Sequence, residues 1–250
     1  MSNVDKLSGR IQSGIQTVKK WDEDLSLLAE CRRQIPFDII CPEQYHRAAL
    51  SNNNDNNNNN NNKNDDDDDN ADNDTDNDTS KTPKNPYAKD DDDQYEGDDL
   101  LLKRLTVFFQ KSMTWVNNPP CVICGSTETK MAECTGPRTH EEREGDASRV
   151  ERYHCPTCNT TTTSFPRYNN PRALLASRQG RCGEYANLFG LHLRASGFET
   201  RYILDFTDHV WVEVWSVRQK RWIMADGCEG TIDEACMYEK GWGKKLSYIL

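Results

Sequence analysis

Cysteine, histidine and aspartate carry most covalent and metal chemistry in proteins, and this sequence sets them in two groups. The first is a pair of Cys-x-x-Cys units, Cys121-Val-Ile-Cys124 and Cys155-Pro-Thr-Cys158. Each unit can present two thiolates to one ion from a tight turn, and two such units make a closed four-sulfur site. Thiolate ligands in a tetrahedral array favour zinc over harder ions. Four protein ligands leave no open coordination position, so the expected role of a single zinc is scaffolding. Cys134, His140 and His154 stand close enough in sequence to substitute for one ligand.

The second group is Cys182, His209 and Asp226. Cys182 follows Arg181 where a Gly-Arg-Cys-Gly turn enters a helix, and both the helix N-terminus and the adjacent cation favour a thiolate. His209–Val217 alternates His209, Trp211, Glu213 and Trp215 on one face with valines on the other, as a half-buried strand does. Lys220–Asp226 reads as the returning strand. A turn centred between Val217 and Arg218 sets His209 directly across from Asp226, Trp211 across from Met224 and Glu213 across from Trp222. A slip of one residue would send Asp226 to the opposite face. Nucleophile, base and orienting acid in the order Cys, His, Asp is the logic of a cysteine-hydrolase triad.

These groups need elements to hold them. Ile11, Ile15, Val18, Leu25 and Leu28 recur at helical spacing and predict one amphipathic helix ending near Gln34, before Ile35-Pro36. A second helix starts at Asp98 or Asp99 and buries Leu101, Leu105, Phe108, Phe109 and Trp115, until Asn117-Asn118-Pro119-Pro120 stops it. Residues 121–170 are rich in Cys, Thr, Pro and charge without a sustained period, so metal must help to order them. From Pro171 the pattern is regular: a helix over Pro171–Arg178, another from Gly183 to Ser196, then extended segments at Thr200–Phe206, His209–Val217 and Lys220–Asp226.

Between Ser51 and Asp99 the chain is dominated by Asn and Asp, with 17 acidic residues against 4 lysines. The net charge of −10 therefore describes this tract, and the remainder of the 250 residues is slightly basic. So polar a stretch cannot bury enough apolar surface to offset its ordering entropy, and it reads as a disordered insertion. The expected organisation is a helical segment over 1–50, the insertion over 51–99, a helix plus zinc-binding subdomain over 100–170, and a catalytic core over 171–250. No signal segment and no apolar run of spanning length is visible. Ten cysteines without a secretory signal point to metal ligands or a reactive thiol in the cytoplasm, with the nucleus as a second compartment. Nothing in the charge pattern suggests nucleic acid or membrane insertion.

From Phe109 to Leu250 the sequence resembles the cytosolic peptide:N-glycanases of the transglutaminase-like superfamily. The matching pieces are Trp115-Val-Asn-Asn-Pro-Pro-Cys121, Phe165-Pro-Arg-Tyr168-Asn, Gly180-Arg-Cys182-Gly-Glu-Tyr-Ala-Asn, Asp208-His209-Val-Trp211-Val-Glu213, Asp226-Gly-Cys228-Glu229 and Gly241-Trp-Gly-Lys-Lys-Leu-Ser-Tyr248. The resemblance implies an α+β, papain-like cysteine-hydrolase core with an inserted four-Cys zinc subdomain. It implies Cys182 as nucleophile, His209 as general base and acid, and Asp226 as its orienter. It further implies that Glu229 contacts glycan, that Trp115 and Trp211 wall the cleft, and that Arg201, Glu213 and Trp222 support the site. The implied reaction is removal of N-linked glycans from misfolded glycoproteins, converting Asn to Asp, alongside proteasome-linked degradation factors. The family pattern is broken at Gly227, where Pro, Ser or Ala is usual and where glycine is expected to loosen the backbone. It is broken again at Met224, often His, and at Leu250, where the chain ends inside an expected strand and leaves an edge unpaired. Two other readings share these residues: a protein-crosslinking transglutaminase, and a catalytically silent glycoprotein-binding module.

Overall fold

The computed structural model describes residues 3–43, 85–234, 236–246 and 249. The Asn/Asp-rich stretch from Ser51 to Lys84, for which disorder was the expectation, lies outside the described residues. The rest of the presumed insertion is ordered. Asn85 donates from Nδ2 to the carbonyl of Ile40 (3.0 Å), Asp91 pairs with Lys103 (2.6 Å) and Asp92 with Arg104 (2.8 Å). Tyr87 meets Phe108 edge-on at 5.4 Å. Composition misplaces this boundary because these aspartates are partners for two largely buried cations and the tyrosine adds apolar area.

The N-terminal segment is two helices, α1 (Asn3–Glu23) and α2 (Leu25–Arg33), followed by the short α3 (Phe37–Ile40). The single helix suggested by the apolar spacing breaks at Asp24, whose carboxylate accepts from the Leu27 N–H (2.9 Å) and caps α2. Helix α4 (Gly97–Ser112) ends before the proline pair. Trp115 is therefore outside it, on strand β1 (Thr114–Trp115), and is 46% exposed instead of buried.

Residues 121–170, without a sequence period, form an antiparallel sheet of β2 (Lys130–Thr135), β3 (Ala147–Cys155) and β4 (Thr160–Tyr168), with helix α5 (His140–Glu144) between the first two. Breaks in register within both strand pairs hide the alternation. Helix α6 (Pro171–Ser177) leads to β5 (Gln179–Gly180), which pairs in parallel with β1. Then come α7 (Cys182–Ala195) and an antiparallel sheet of β6 (Thr200–Asp205), β7 (His209–Ser216), β8 (Arg221–Asp226) and β9 (Thr231–Ile232). The free edge of β6 is met by Ile249, which bridges Asp205.

Helix α7 is the hub of the α+β core. Tyr185, Leu188, Phe189, Leu191 and Leu193 bury nearly every side, because α1 and α2 pack on one flank and β6 and β7 on the other. The Trp21 ring sits directly on Gly190, and its Nε1 donates to Asn187 Oδ1 (2.9 Å). A Cβ at Gly190 would come within 2.1 Å of that indole. Gly190→Ala is therefore expected to destabilise the chain by about 1–3 kcal/mol through overpacking. A lowered urea midpoint at unchanged slope checks this. Among the described residues, no helix is long and apolar enough to cross a membrane.

Candidate active site and metal centre

The two Cys-x-x-Cys turns converge. Sγ atoms of Cys121, Cys124, Cys155 and Cys158 all lie within 4.8 Å of one another, with Cys121–Cys158 and Cys124–Cys155 both at 3.6 Å. Metal–sulfur bonds of about 2.3 Å in a tetrahedron imply sulfur–sulfur edges of roughly 3.8 Å, so the donor set fits one ion. Backbone N–H groups of Cys124 and Ile123 pull the Cys121 thiol down to about 6, and that of Cys158 lowers Cys155. At Cys124 the Ser126 N–H is outweighed by burial and the neighbouring sulfurs, which push the thiol up to about 12, so two of the four sulfurs are poised as thiolates. The alternative ligands fall elsewhere: His154 contacts Thr161, His140 pairs with Glu144, and Cys134 is an exposed residue of β2.

Three elements bring the second group together. Cys182 is the first residue of α7, delivered by the β1–β5 pairing. His209 opens β7 and Asp226 closes β8. The His209 Nε2 lies 3.0 Å from Asp226 Oδ2, with both side chains buried. The Cys182 sulfur stands near the same ring and helps to raise its basicity. With Nε2 engaged by the carboxylate, Nδ1 is left to exchange a proton with the thiol.

The hairpin register differs from the expected one. Val212 pairs with Ala225 and Trp215 with Trp222, because the turn spans the four residues 217–220, with Lys220 left-handed (φ 53°). Asp226 is thus the diagonal neighbour of His209, and Glu213, not Trp211, faces Met224. A shift of two residues preserves the face, so the imidazole and carboxylate still meet.

Asp226 is saturated with donors. Besides His209 it accepts from Tyr238 Oη (2.6 Å) and from the backbone N–H groups of Cys228 (2.7 Å) and Glu229 (3.3 Å). Burial opposes its charge, but these bonds hold the carboxyl below its usual value. Burial likewise opposes charging of His209, yet the bond to Asp226 and the nearby Cys182 sulfur raise the imidazole to about 9. A raised folded value means that the pairing stabilises fully below the ordinary 6.5 and is lost as pH rises through about 9. Histidine NMR should place this titration near 9 and, in Asp226→Asn, move it down toward 6.5.

Aromatic rings enclose His209: Trp211 stacks at 5.8 Å, Tyr238 stands edge-on at 4.7 Å and Trp242 edge-on at 5.0 Å. Trp211 is 5% exposed, in a cluster with Ile203, Met224 and Tyr238, so it backs the imidazole and does not wall an open cleft. Trp115 is exposed over Tyr185 (5.7 Å), beside the strand that leads into Cys182. Glu229 is exposed one turn beyond Asp226, with its carboxyl raised by partial burial and by the Asp226 charge. Arg201 pairs across strands with Glu213 (2.8 Å) and covers Trp222 at 4.3 Å, tying β6 to β7 and β8. Tyr238 and Trp242 had no role from sequence. Their spacing of four, with Tyr238 on the helical turn Met237–Gly241 and Trp242 just after it, marks them as neighbours of each other but not of His209.

Gly227 sits against an aromatic ring. The Phe109 ring occupies the place of a side chain, within 2.7 Å of where a Cβ would stand, so the glycine marks a close approach between α4 and the residue after Asp226.

The arrangement is a buried base held by an ionised acid against a thiol at a helix start, which suits nucleophilic attack on an acyl carbon. Residues 129–227 match the model of the transglutaminase-like superfamily. The chain is similar to proteins named peptide-N(4)-(N-acetyl-beta-glucosaminyl)asparagine amidase. It is 50% identical to that of Arabidopsis thaliana over 62% of this chain and 21% of the relative. For Gallus gallus the identity is 48% over 62% and 24%, and for Homo sapiens 47% over 61% and 23%. The chain thus spans only about a fifth to a quarter of the length of these curated relatives. A converging thiol, imidazole and carboxylate, Cys182, His209 and Asp226, all lie inside the stretch that matches the transglutaminase-like model, in agreement with that likeness.

Proposed function

We propose that this chain is the catalytic core of an amidase that releases N-linked glycans from misfolded glycoproteins, with Cys182, His209 and Asp226 as its triad. The observation that carries the reading is the hydrogen-bonded His209–Asp226 pair with the Cys182 thiol beside it, within a stretch about half identical to proteins named for that activity.

In the proposed reaction His209 takes the Cys182 proton, and the thiolate attacks the side-chain amide carbon of the glycosylated Asn. The imidazolium returns the proton to the departing nitrogen, the C–N bond breaks, and the glycan leaves as a glycosylamine. A thioester remains on Cys182. His209 then deprotonates water, which cleaves the thioester, leaves Asp in the peptide and restores the thiol. Asp226 keeps the imidazole in one orientation and stabilises its charged form throughout. Trp115 and Glu229, both exposed near the thiol and the acid, are the proposed substrate contacts. The ion held by Cys121, Cys124, Cys155 and Cys158 is proposed to be structural zinc, since four thiolates leave no position for substrate. Cytoplasmic action, with proteasome-linked factors downstream, completes the reading.

The test incubates the chain with a denatured N-glycosylated protein and follows glycan release and Asn-to-Asp conversion by mass spectrometry. Stoichiometric release with conversion supports the amidase. Crosslinking to lysine without release would mark an acyl-transferring enzyme instead, and binding with neither would leave a recognition module.

A further inference from the structure

Strand β3 ends at the metal ligand Cys155, and four residues earlier it carries a carboxylate with 4% exposure, Glu151. A buried acid so near a metal module invites the question of what it holds. It does not reach toward the sulfurs. Its Oε1 accepts from Arg181 Nη1 (2.9 Å) and Arg167 Nη1 (3.2 Å), and its Oε2 from Arg181 Nη2 (2.8 Å) and Tyr153 Oη (2.7 Å).

Arg181 is the residue immediately before Cys182. Its fork on Glu151 is bidentate, and its remaining donors are also committed: Nε to the Val116 carbonyl (2.8 Å) and Nη2 to that of Asn117 (2.9 Å). Arg167 of β4 completes the link by forking onto Glu184 (2.7 and 2.8 Å). Glu184 in turn accepts the backbone N–H of Arg181 through Oε2 (2.9 Å). Two arginines and two glutamates therefore clamp the entry to α7 by both the backbone and the side chain of one residue. Burial opposes the Glu151 charge, but these cations hold its carboxyl at about 2, so it is ionised at neutral pH. Planar forks of this kind fix distance and angle together.

We propose that Glu151 is a positioning residue: through Arg181 it transmits the order of the metal-bearing sheet to the first turn of α7 and so sets the Cys182 sulfur against His209. The proposal rests on Cys182 as the nucleophile but not on the identity of the substrate. A displacement of about 1 Å at a reacting atom can cost on the order of a hundredfold in rate, so a small slackening of the clamp is measurable.

The test compares Glu151→Gln, Arg181→Lys and the double variant with the wild-type chain, all with bound metal quantified. One readout is the rate of Cys182 alkylation by iodoacetamide, resolved by peptide mapping, across pH 6–10. The other is kcat and KM on a denatured glycoprotein. Expected are one metal per chain, alkylation of Cys182 slowed about tenfold and kcat lowered ten- to hundredfold with KM within about twofold. The double variant should be no worse than either single one. Wild-type alkylation and kcat in metal-loaded Glu151→Gln, a loss confined to KM, or additive losses in the double variant would each overturn the proposal. Should Glu151→Gln shed its metal, Arg181→Lys, which leaves the sheet intact, decides by the same alkylation rate. Alkylation needs no substrate. A wild-type chain that releases no glycan, combined with slowed alkylation in the variants, would sink the amidase reading and leave the positioning role standing.

Discussion

Cys182→Ala is expected to leave no measurable glycan release, a fall in kcat on the order of 10⁶-fold, in a chain that still folds and still binds its metal. The size follows from the chemistry: without the sulfur there is no thioester, and the imidazole has no proton to receive. The intact fold follows from the position. Cys182 is half-buried at the start of α7, and the burial that anchors this helix comes from Tyr185, Leu188, Phe189 and Leu191. Alanine is also the better helix former. His209→Ala is expected to cost about as much, and the double variant no more than either, because members of one relay fail as a unit. Mass spectrometry of the acceptor peptide, with circular dichroism and metal content as controls, checks all three. Conversion of Asn to Asp by Cys182→Ala at even a hundredth of the wild-type rate would mean that the amide is attacked by something else.

The chemistry was easier to read from sequence than the geometry that delivers it, and the hairpin shows why. Alternation along His209–Val217 identifies which residues share a face, and that parity survives any even shift. It does not identify the turn, so the register came out two residues from the observed one, because the loop takes four residues with Lys220 left-handed. The triad pairing tolerated the error because a diagonal neighbour still reaches. Trp115 illustrates a different loss. Helical periodicity carries on past the helix unless something announces the end, and here the chain leaves α4 at Met113, ahead of the prolines, to pair with β5. Residues 121–170 gave no period because bulges break the alternation of β2–β4 and because this sheet buries few apolar side chains. Tyr238 and Trp242 were missed for lack of any local feature marking them as neighbours of His209. Only the long-range fold brings the turn at 237–241 back over β7 and β8.

Removing the metal is expected to unfold the β2–β4 sheet while the α7-centred core persists, and to abolish activity with it. Among the described residues, and sulfur ligands aside, the sheet buries only Ala147, Val150, Tyr153 and Phe165 as apolar side chains, the last two clustered with Val116, whereas β2 is exposed along almost its whole length. At about 25 cal/mol per Å² such a cluster contributes only a few kcal/mol. Apparent binding energies at four-ligand structural zinc sites reach about 10–16 kcal/mol, comparable to or larger than the whole stability of an ordinary domain. An ion on the four sulfurs, more than the apolar cluster, is therefore expected to decide whether this sheet folds. The large core cluster, from Trp21 through Phe109, Phe189 and Val212 to Ile232, takes from β2–β4 only the partly buried Tyr168 at the end of β4 and should outlast the sheet. Chelation, or Cys124→Ser with Cys158→Ser, is then expected to strip hydrogen-exchange protection from β3 and β4 while β6–β8 keep theirs. Activity is lost in the same step, because melting β3 withdraws Glu151 from Arg181 and melting β4 withdraws Arg167 from Glu184. Full protection of β3 after the metal is gone would show that the four sulfurs decorate a sheet that folds without them. The coupling between that sheet and the entry to α7 would then need another source of order.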